Sequence, residues 1–281
     1  MDAAGTQVAV DGGSEPVVQP VGCAPGTVMD VRDLFFNVPA RLKFLKRPAT
    51  ELAAVEEAMQ ALALSHPAVR FSLALDGKPA LATSGSGDLA TAVREVFGLS
   101  ADKAGGLLPV DFGDPGLGLS LVGWVASPDA LALHKRSKKA WWTFLNRRAV
   151  RCPVLSKAVE AAFESLVPHG SYPLCVVALA MPPQVVDVNV HPAKREVRYA
   201  RPNEVFAFVK AGLRRPMEEA FQARMLGAPT ALPGGQSDAP PWRPETDFPG
   251  QAGIQPTGPN PLAFGSASYT PTRPSGGPWP S

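Results

Sequence analysis

The sequence has few cysteines and no long apolar run. Its 281 residues include three cysteines, an odd number with no close pair, which fits neither a disulfide framework nor a metal site. We expect Cys23, Cys152 and Cys175 to be packing residues. No apolar run approaches the roughly 20 residues of a membrane span, and Met1 to Ala3 opens no signal peptide. We therefore expect a cytoplasmic protein that has no membrane partner.

The sequence also lacks a strong net charge and the common catalytic motifs. It has 27 Lys and Arg against 25 Asp and Glu, a net charge of +2, which argues for no partner by itself. No Cys-x-x-Cys, His-Glu-x-x-His, Gly-x-Ser-x-Gly or phosphate-binding Gly-rich loop is present. The four histidines are isolated in sequence. We therefore predict no catalytic residue and no metal ligand.

Patterning predicts alternating helices and strands up to residue 226. Residues 1–25 favour an edge hairpin, because Pro16 and Pro20 keep them off a central position in a sheet, and residues 26–36 favour a strand. Asn37 is expected to cap the helix that follows. Further predictions are helices at 50–64 and 89–97, a hairpin turning at Asp76-Gly77, and strands at 107–112 and 119–125.

The second half of this region predicts a βαβ unit. Its parts are a strand at 140–146, a helix at 153–166 and a strand at 174–180 that is apolar throughout and therefore buried on both sides. A helix is expected from Asn203 to a break at Pro216, with a second short helix after it. Residues 227–281 contain 13 of the 31 prolines, so we expect a disordered tail there.

The stretch from residue 187 to 198 has the most distinctive pattern. Between residues 186 and 190 valines alternate with polar residues, which predicts a strand with one buried face, and Pro192 ends it. Lys194 then stands on a short loop before a second alternating run, residues 196–199. Such a lysine can reach a bound phosphate. Most surface lysines are simply solvated, and charge alone favours that interpretation.

Seven cations and no carboxylate lie between residues 134 and 151. Aromatic residues stand among them, and a basic patch beside aromatics is typical of a surface that meets a nucleic-acid backbone. Trp142 and Phe144 also suit the core of a strand, which we prefer for them. For the cations we favour DNA binding. They are Lys135, Arg136, Lys138, Lys139, Arg147, Arg148 and Arg151.

Three segments resemble one protein family. Residues 187–198 read DVNVHPAKREVR, which resembles the DVNVHPxKxEVRF signature of the MutL family of DNA mismatch-repair proteins. Residues 26–45 resemble the last nucleotide-binding motif of that family's ATPase domain, which is of the GHKL type shared with gyrase, Hsp90 chaperones and histidine kinases. Residues 144–148 resemble the family's F/YVNGR segment, with Leu145 and Arg147 in place of its valine and glycine. The resemblance covers about residues 16 to 215.

The resemblance implies a ligand and partners. It implies that Lys194 reaches the γ-phosphate of ATP, bound with Mg²⁺ in the neighbouring domain, and that Thr27 lies beside the nucleotide. The family's second domain carries a DNA-binding surface, which agrees with the basic residues above. The implied partners are DNA, a mismatch-recognition protein of MutS type and a second copy of the intact protein in a homodimer. The implied location is cytoplasmic and nucleoid-associated.

The implied fold is α+β. We expect residues 1–45 to be the C-terminal remnant of a GHKL ATPase domain and residues 46–226 to be a mixed-sheet transducer domain. Its βαβ unit is expected to resemble that of a small-subunit ribosomal protein. Residues 227–281 would be a disordered Pro/Gly-rich linker. The family's earlier ATPase motifs are missing from this sequence, so we expect the chain to begin near the end of the first domain and to lack ATPase activity alone.

The function implied is mismatch repair, in which ATP binding and hydrolysis are coupled to DNA processing and partner recruitment. One alternative is a stand-alone nucleic-acid-binding module without ATP dependence, favoured by the basic segment and the missing motifs. Another is the transducer domain of a topoisomerase or a chaperone. It ranks lower, because residues 189–194 match the loop of neither family.

Overall fold

The computed structural model describes residues 4–187 and 197–226. They begin with a hairpin of two antiparallel strands, β1 (Ala4–Ala9) and β2 (Val17–Gly22). Among the described residues these strands pair only with each other. Pro20 in β2 lies opposite Thr6, a placement that proline tolerates because both strands have a free edge. The edge hairpin predicted for this region is confirmed.

The strand predicted for residues 26–36 is wrong. These residues are irregular, and Asp33 and Phe35 have positive φ angles of 47° and 69°. An alternating pattern makes a strand only where a neighbour accepts and donates its backbone hydrogen bonds, and no described strand does so here. The cap was also wrong: Asn37 donates from its amide to the carbonyl of Gly12 at 3.0 Å, and the helix α1 (Pro39–Leu42) has no side-chain cap.

The remaining elements follow the predicted order closely. They are α2 (Pro48–Ser65), β3 (Ser72–Leu75), β4 (Lys78–Ala82), α3 (Leu89–Phe97), α4 (Ala101–Ala104), β5 (Leu107–Asp114), β6 (Leu119–Ala126), β7 (His134–Lys135), β8 (Trp141–Leu145), β9 (Arg148–Val150), α5 (Pro153–Phe163), β10 (Tyr172–Pro173), β11 (Cys175–Ala180), β12 (Val186–Asp187), β13 (Arg198–Tyr199) and α6 (Pro202–Met225).

A five-stranded sheet organises the chain, in the order β5-β6-β11-β8-β9. Strands β8 and β11 are parallel neighbours, and α5 connects them along the chain, so the predicted βαβ unit is confirmed. The other pairs in this sheet are antiparallel. The sheet is therefore mixed, and the predicted α+β class is confirmed.

The sheet buries both of its faces. On β11, Val177 and Leu179 enter a core that includes side chains of α5 and α6, whereas Val176 and Ala178 enter a second core with side chains of α2 and α3. This is the alternation expected of a central strand. The prediction that this strand is covered on both sides is confirmed.

Local turn and capping chemistry acts as predicted at α3 and at the β3–β4 turn. Asp88 accepts hydrogen bonds from the backbone N–H groups of Ala90 and Thr91 at the start of α3, and Gly98 ends that helix in the left-handed conformation. Asp76 and Gly77 form the turn between β3 and β4 with φ angles of 49° and 75°. Such angles favour short polar residues and glycine.

Helix α6 does not break at Pro216, contrary to the prediction. Proline removes one backbone hydrogen bond and usually kinks a helix, but α6 is continuous through it. Leu213 and Met217, on either side of the proline, are 0% and 1% exposed. Both halves of α6 are therefore held on the same core, and their burial outweighs the missing hydrogen bond.

Other predictions have mixed outcomes. Cys152 and Cys175 are buried as expected for packing residues, but Cys23 is exposed, so the prediction was wrong for that residue. Residues 227–281 lie outside the described residues. Within the described part of the chain, no helix is long and apolar enough to cross a membrane.

Candidate functional site

The seven predicted basic residues form two groups, at opposite ends of the β8–β9 hairpin. Arg147 and Arg148 lie at its turn, where β8 ends. Of the other five, Lys135 lies in β7, Arg136, Lys138 and Lys139 lie between β7 and β8, and Arg151 follows β9. At about 3.3 Å per residue, the five residues of β8 separate the groups by about 17 Å. The second group consists of Lys135, Arg136, Lys138, Lys139 and Arg151.

A pocket of about 260 Å³ lies within the second group. We call it the Trp141 pocket. Cations form much of its wall, Trp141 forms another part, and two hydroxyl side chains come from β8 and α5. Its lining includes Lys138, Lys139, Trp141, Thr143, Arg151 and Ser156.

The wall formed by Trp141 is held in place from three directions. Its indole N–H donates to the carbonyl of Pro173 at 3.0 Å. Its ring stacks on Phe163 with an interplanar angle of 15° and meets the ring of Tyr172 edge-on. Lys138 lies over the same ring, with its Nζ 5.4 Å from the ring centroid. The pocket therefore has a rigid aromatic wall beside a cation.

Two of the pocket's cations are paired with carboxylates. Arg151 donates to Glu57 on α2 at 2.6 Å, and Lys138 donates to Glu160 on α5 at 2.8 Å. All four side chains are at least one-third exposed, so water screens both pairs and each contributes little to stability. Together with Lys139, the pocket has three cations against these two carboxylates. This leaves the site with a net charge of +1.

The turn with Arg147 keeps a tight geometry without the family's glycine. Asn146 and Arg147 have φ angles of 46° and 67°, a region that costs a side chain such as arginine about 1–2 kcal/mol. The amide of Asn146 compensates: its Nδ2 donates to the carbonyl of Met181, and its Oδ1 accepts from the N–H of Met181, both at 3.0 Å. These bonds fasten the turn to the end of β11.

The ends of the signature segment lie side by side. Val186 and Asp187 in β12 pair antiparallel with Tyr199 and Arg198 in β13. Tyr199 is 8% exposed, and burial and the neighbouring Cys152 raise its pKa above the ordinary value. Residues 188–197 are thus a connection whose two ends are joined by strand pairing. Lys194 lies outside the described residues.

Thr27, the other residue expected near a nucleotide, is exposed in the irregular stretch after β2. It does not line the Trp141 pocket. Within residues 4–187 and 197–226, no group of three or more His, Cys, Asp or Glu side chains could hold a metal ion.

Sequence reasoning missed the partners of these basic residues. Glu57 is 94 residues from Arg151, and nothing in the pattern of α2 distinguishes it from Glu56. Asn146 had a local signal, since asparagine tolerates a positive φ and here follows an apolar strand. Its partner Met181, 35 residues away, could be found only from the parallel pairing of β8 with β11.

Comparisons with known proteins identify a family that this chain resembles over most of its length. A family model described as the C-terminal domain of DNA mismatch repair protein matches residues 93–218. The DNA mismatch repair protein MutL of Desulforudis audaxviator is 40% identical over 220 residues, 78% of this chain and 38% of that protein. The MutL protein of Symbiobacterium thermophilum is 39% identical over 236 residues, 84% of this chain and 35% of that protein.

A solved structure supports the same assignment. The Aquifex aeolicus MutL ATPase domain complexed with ADP has a TM-score of 0.51 and 28% identity, covering 64% of this chain and 63% of that chain. The fold and the matched segments define an α+β chain of the type found in MutL ATPase domains. The chain belongs to the MutL family of DNA mismatch-repair proteins. It spans less than two-fifths of the length of the two curated relatives above.

Proposed function

We propose that residues 46–226 are the transducer domain of a MutL protein, which couples the nucleotide state of an ATPase domain to DNA and to partner proteins. Residues 1–45 belong to the ATPase domain in this proposal, and residues 227–281 are a linker. The identity to MutL proteins and the match of residues 93–218 to the family model support it. The partners proposed are DNA, a mismatch-recognition protein of MutS type and a second copy of the intact protein.

The proposed nucleotide is ATP with Mg²⁺, bound by the intact protein. Lys194 contacts its γ-phosphate and Thr27 lies beside it. The observation that carries this proposal is the pairing of β12 with β13, which holds the residues on either side of the signature segment next to each other. The ADP bound by the Aquifex aeolicus domain supports nucleotide binding in a related fold.

Lys194→Ala in a full-length protein should lower ATP turnover by about 10- to 100-fold, because a hydrogen bond from a charged donor contributes about 1.5–3 kcal/mol. Steady-state ATPase assays measure this. Arg195→Ala is the matched control from the same segment and should keep its turnover. Unchanged turnover in Lys194→Ala would contradict the proposal.

We place DNA contacts on the seven basic residues. Changing Arg147, Arg148 and Arg151 to glutamate should weaken binding equally on every duplex sequence. It should also flatten the dependence of affinity on salt, by about 0.9 for each phosphate that the protein no longer neutralises. Fluorescence anisotropy at several salt concentrations measures both effects. A control with the same change of net charge is Lys78→Glu, Arg94→Glu and Lys103→Glu.

If DNA affinity and its salt dependence were unchanged in the Arg147, Arg148 and Arg151 variant, the proposed DNA surface would be rejected. The alternative of an ATP-independent nucleic-acid-binding module predicts that the DNA affinity of the full-length protein is the same with and without ATP, and the same in Lys194→Ala. A dependence of DNA affinity on ATP that Lys194→Ala removes would reject that alternative.

A further inference from the structure

The carboxylates beside the Trp141 pocket occupy the donors that an anionic ligand needs. Glu57 accepts from Arg151 and Glu160 accepts from Lys138. We propose that the Trp141 pocket holds one phosphate of the DNA backbone, and that Glu57 and Glu160 compete with this phosphate for the two cations. This inference rests on the DNA contact proposed above and adds to it a particular site and a competition that sets its affinity.

The pocket's chemistry suits a phosphate. Arg151 offers a planar set of donors that can bind two phosphate oxygens, and lysines add point charges that can follow them. Ser156 adds a hydroxyl group on the α5 side. The hydroxyl of Thr143 already donates to the carbonyl of Val150 at 2.7 Å, so it shapes the wall without donating to the ligand.

A phosphate can displace Glu57 from Arg151 and Glu160 from Lys138 at little cost, because both ion pairs are weak. The side chains of Arg151 and Glu57 are 58% and 36% exposed, so water reaches both partners of the pair. A phosphate that replaces the carboxylate keeps the cation paired and frees the glutamate to return to water. Each carboxylate therefore reduces DNA affinity by only the small amount that an exposed ion pair is worth.

The exchange at Arg151 also has a structural effect. The Arg151–Glu57 pair joins the end of the edge strand β9 to helix α2, two elements 94 residues apart in sequence. A phosphate that takes Arg151 breaks this connection. Occupation of the pocket thereby removes one contact between β9 and α2, the helix that begins at Pro48.

The test measures DNA affinity in variants that remove one competitor without changing shape. Glu57→Gln and Glu160→Gln should each raise the affinity for a short duplex at low salt by about two- to five-fold. Glu56→Gln on α2 and Glu164→Gln after α5 change the net charge equally but remove neither ion pair, so they should raise affinity less.

A second background separates local competition from general charge. In an Arg151→Gln protein, Glu57→Gln should raise affinity no more than Glu56→Gln does, because the cation for which Glu57 competes is gone. The proposal is overturned if Glu57→Gln raises DNA affinity as much in the Arg151→Gln protein as in the wild-type protein. It is also overturned if, in the wild-type protein, Glu57→Gln raises affinity no more than Glu56→Gln does. Either result leaves the broader DNA surface intact.

Pyrophosphate provides a probe that does not depend on DNA. It should raise the melting temperature of the protein through binding to the folded state, and Arg151→Gln should abolish that rise. If no variant binds DNA but pyrophosphate still stabilises the protein through Arg151, the DNA contact fails and the phosphate pocket stands. If neither ligand depends on Arg151, the pocket is rejected.

Discussion

The described chain has two parts, residues 5–62 and the residues that follow them, which differ sharply in how much of their surface is buried. No residue between 5 and 62 is buried, whereas buried residues recur from Ala63 and Leu64 through to α6 and form the two cores on either face of the sheet. Both parts contain a hairpin, a helix and alternating apolar residues. Regular structure therefore forms in both, but only the second part encloses its apolar side chains within the described residues.

This difference shows that an alternating apolar pattern does not specify a strand by itself. In the first part, Val28 is 96% exposed and Phe44 is 84% exposed, and the strand predicted there does not form. In β6 an alternating pattern does form a strand, because β5 and β11 pair with its two edges. Exposed apolar side chains in such numbers mark a surface that another surface covers, which agrees with the proposal that residues 1–45 belong to an ATPase domain.

The largest contrast is expected between two glycines. Gly123 has a φ of 154°, and a Cβ there would lie 2.1 Å from the carbonyl oxygen of Val176 on β11. Gly26 has a φ of 136°, with nothing within 4 Å of a Cβ. Both alanine variants carry backbone strain, but only Gly123→Ala adds a clash. It should lower the free energy of unfolding by about 3 kcal/mol or more.

Gly26→Ala should change the unfolding of the sheet by less than about 0.5 kcal/mol. Urea denaturation followed by circular dichroism measures both variants. If Gly26→Ala destabilised the sheet by more than about 1 kcal/mol, the two parts would fold as one unit. The contrast in burial would then not correspond to a difference in their contributions to the free energy of unfolding.

A smaller contrast is expected between two apolar side chains. Leu121 is 1% exposed in β6, and Phe44 is 84% exposed after α1. Leu121→Ala leaves a cavity and should lower the free energy of unfolding by about 2–5 kcal/mol. Phe44→Ala should cost less than about 0.5 kcal/mol, as measured in the same urea experiment. Similar costs for the two variants would mean that Phe44 is covered in solution.

The smallest contrast concerns two thiols. Burial raises the pKa of Cys175 to about 12 from 9.0. Above pH 9 the unfolded chain has lost this proton and the folded chain keeps it, so stability should fall as the pH rises from 9 towards 12, by up to about 1.4 kcal/mol per pH unit. Cys175→Ala should reduce that slope by this amount.

Cys23→Ala, which removes an exposed thiol, is the control and should keep the wild-type slope. Urea denaturation at pH values from about 8 to about 11 measures the three proteins. Burial also raises the pKa of Tyr199, so some slope should persist in Cys175→Ala. An unchanged slope in Cys175→Ala would show that the thiol is not shielded from water.

Much of the second part could be predicted from the sequence, because its signals are local and agree with one another. Asp88 and Gly98 bound α3 by their own chemistry, and the uninterrupted apolar run of β11 requires a central position. The parallel pairing of β8 with β11 follows from the helix between them. These inferences need no knowledge of distant contacts.

The rest depended on contacts that no local pattern contains. Pro216 continues α6 because buried residues on both sides hold it on the core, and the β8–β9 turn survives with Arg147 because Asn146 binds Met181. The division of the basic residues into two groups follows from the direction of β8. The Glu57–Arg151 pair exists only because α2 passes beside the edge strand.

The two hydrogen bonds between Asn146 and Met181 join two distant stretches of sequence. Met181 lies shortly before Asp187, at the base of the signature segment, and 35 residues separate it from Asn146. A pull on that base is therefore transmitted to the turn with Arg147 through two hydrogen bonds, without passing through the helices.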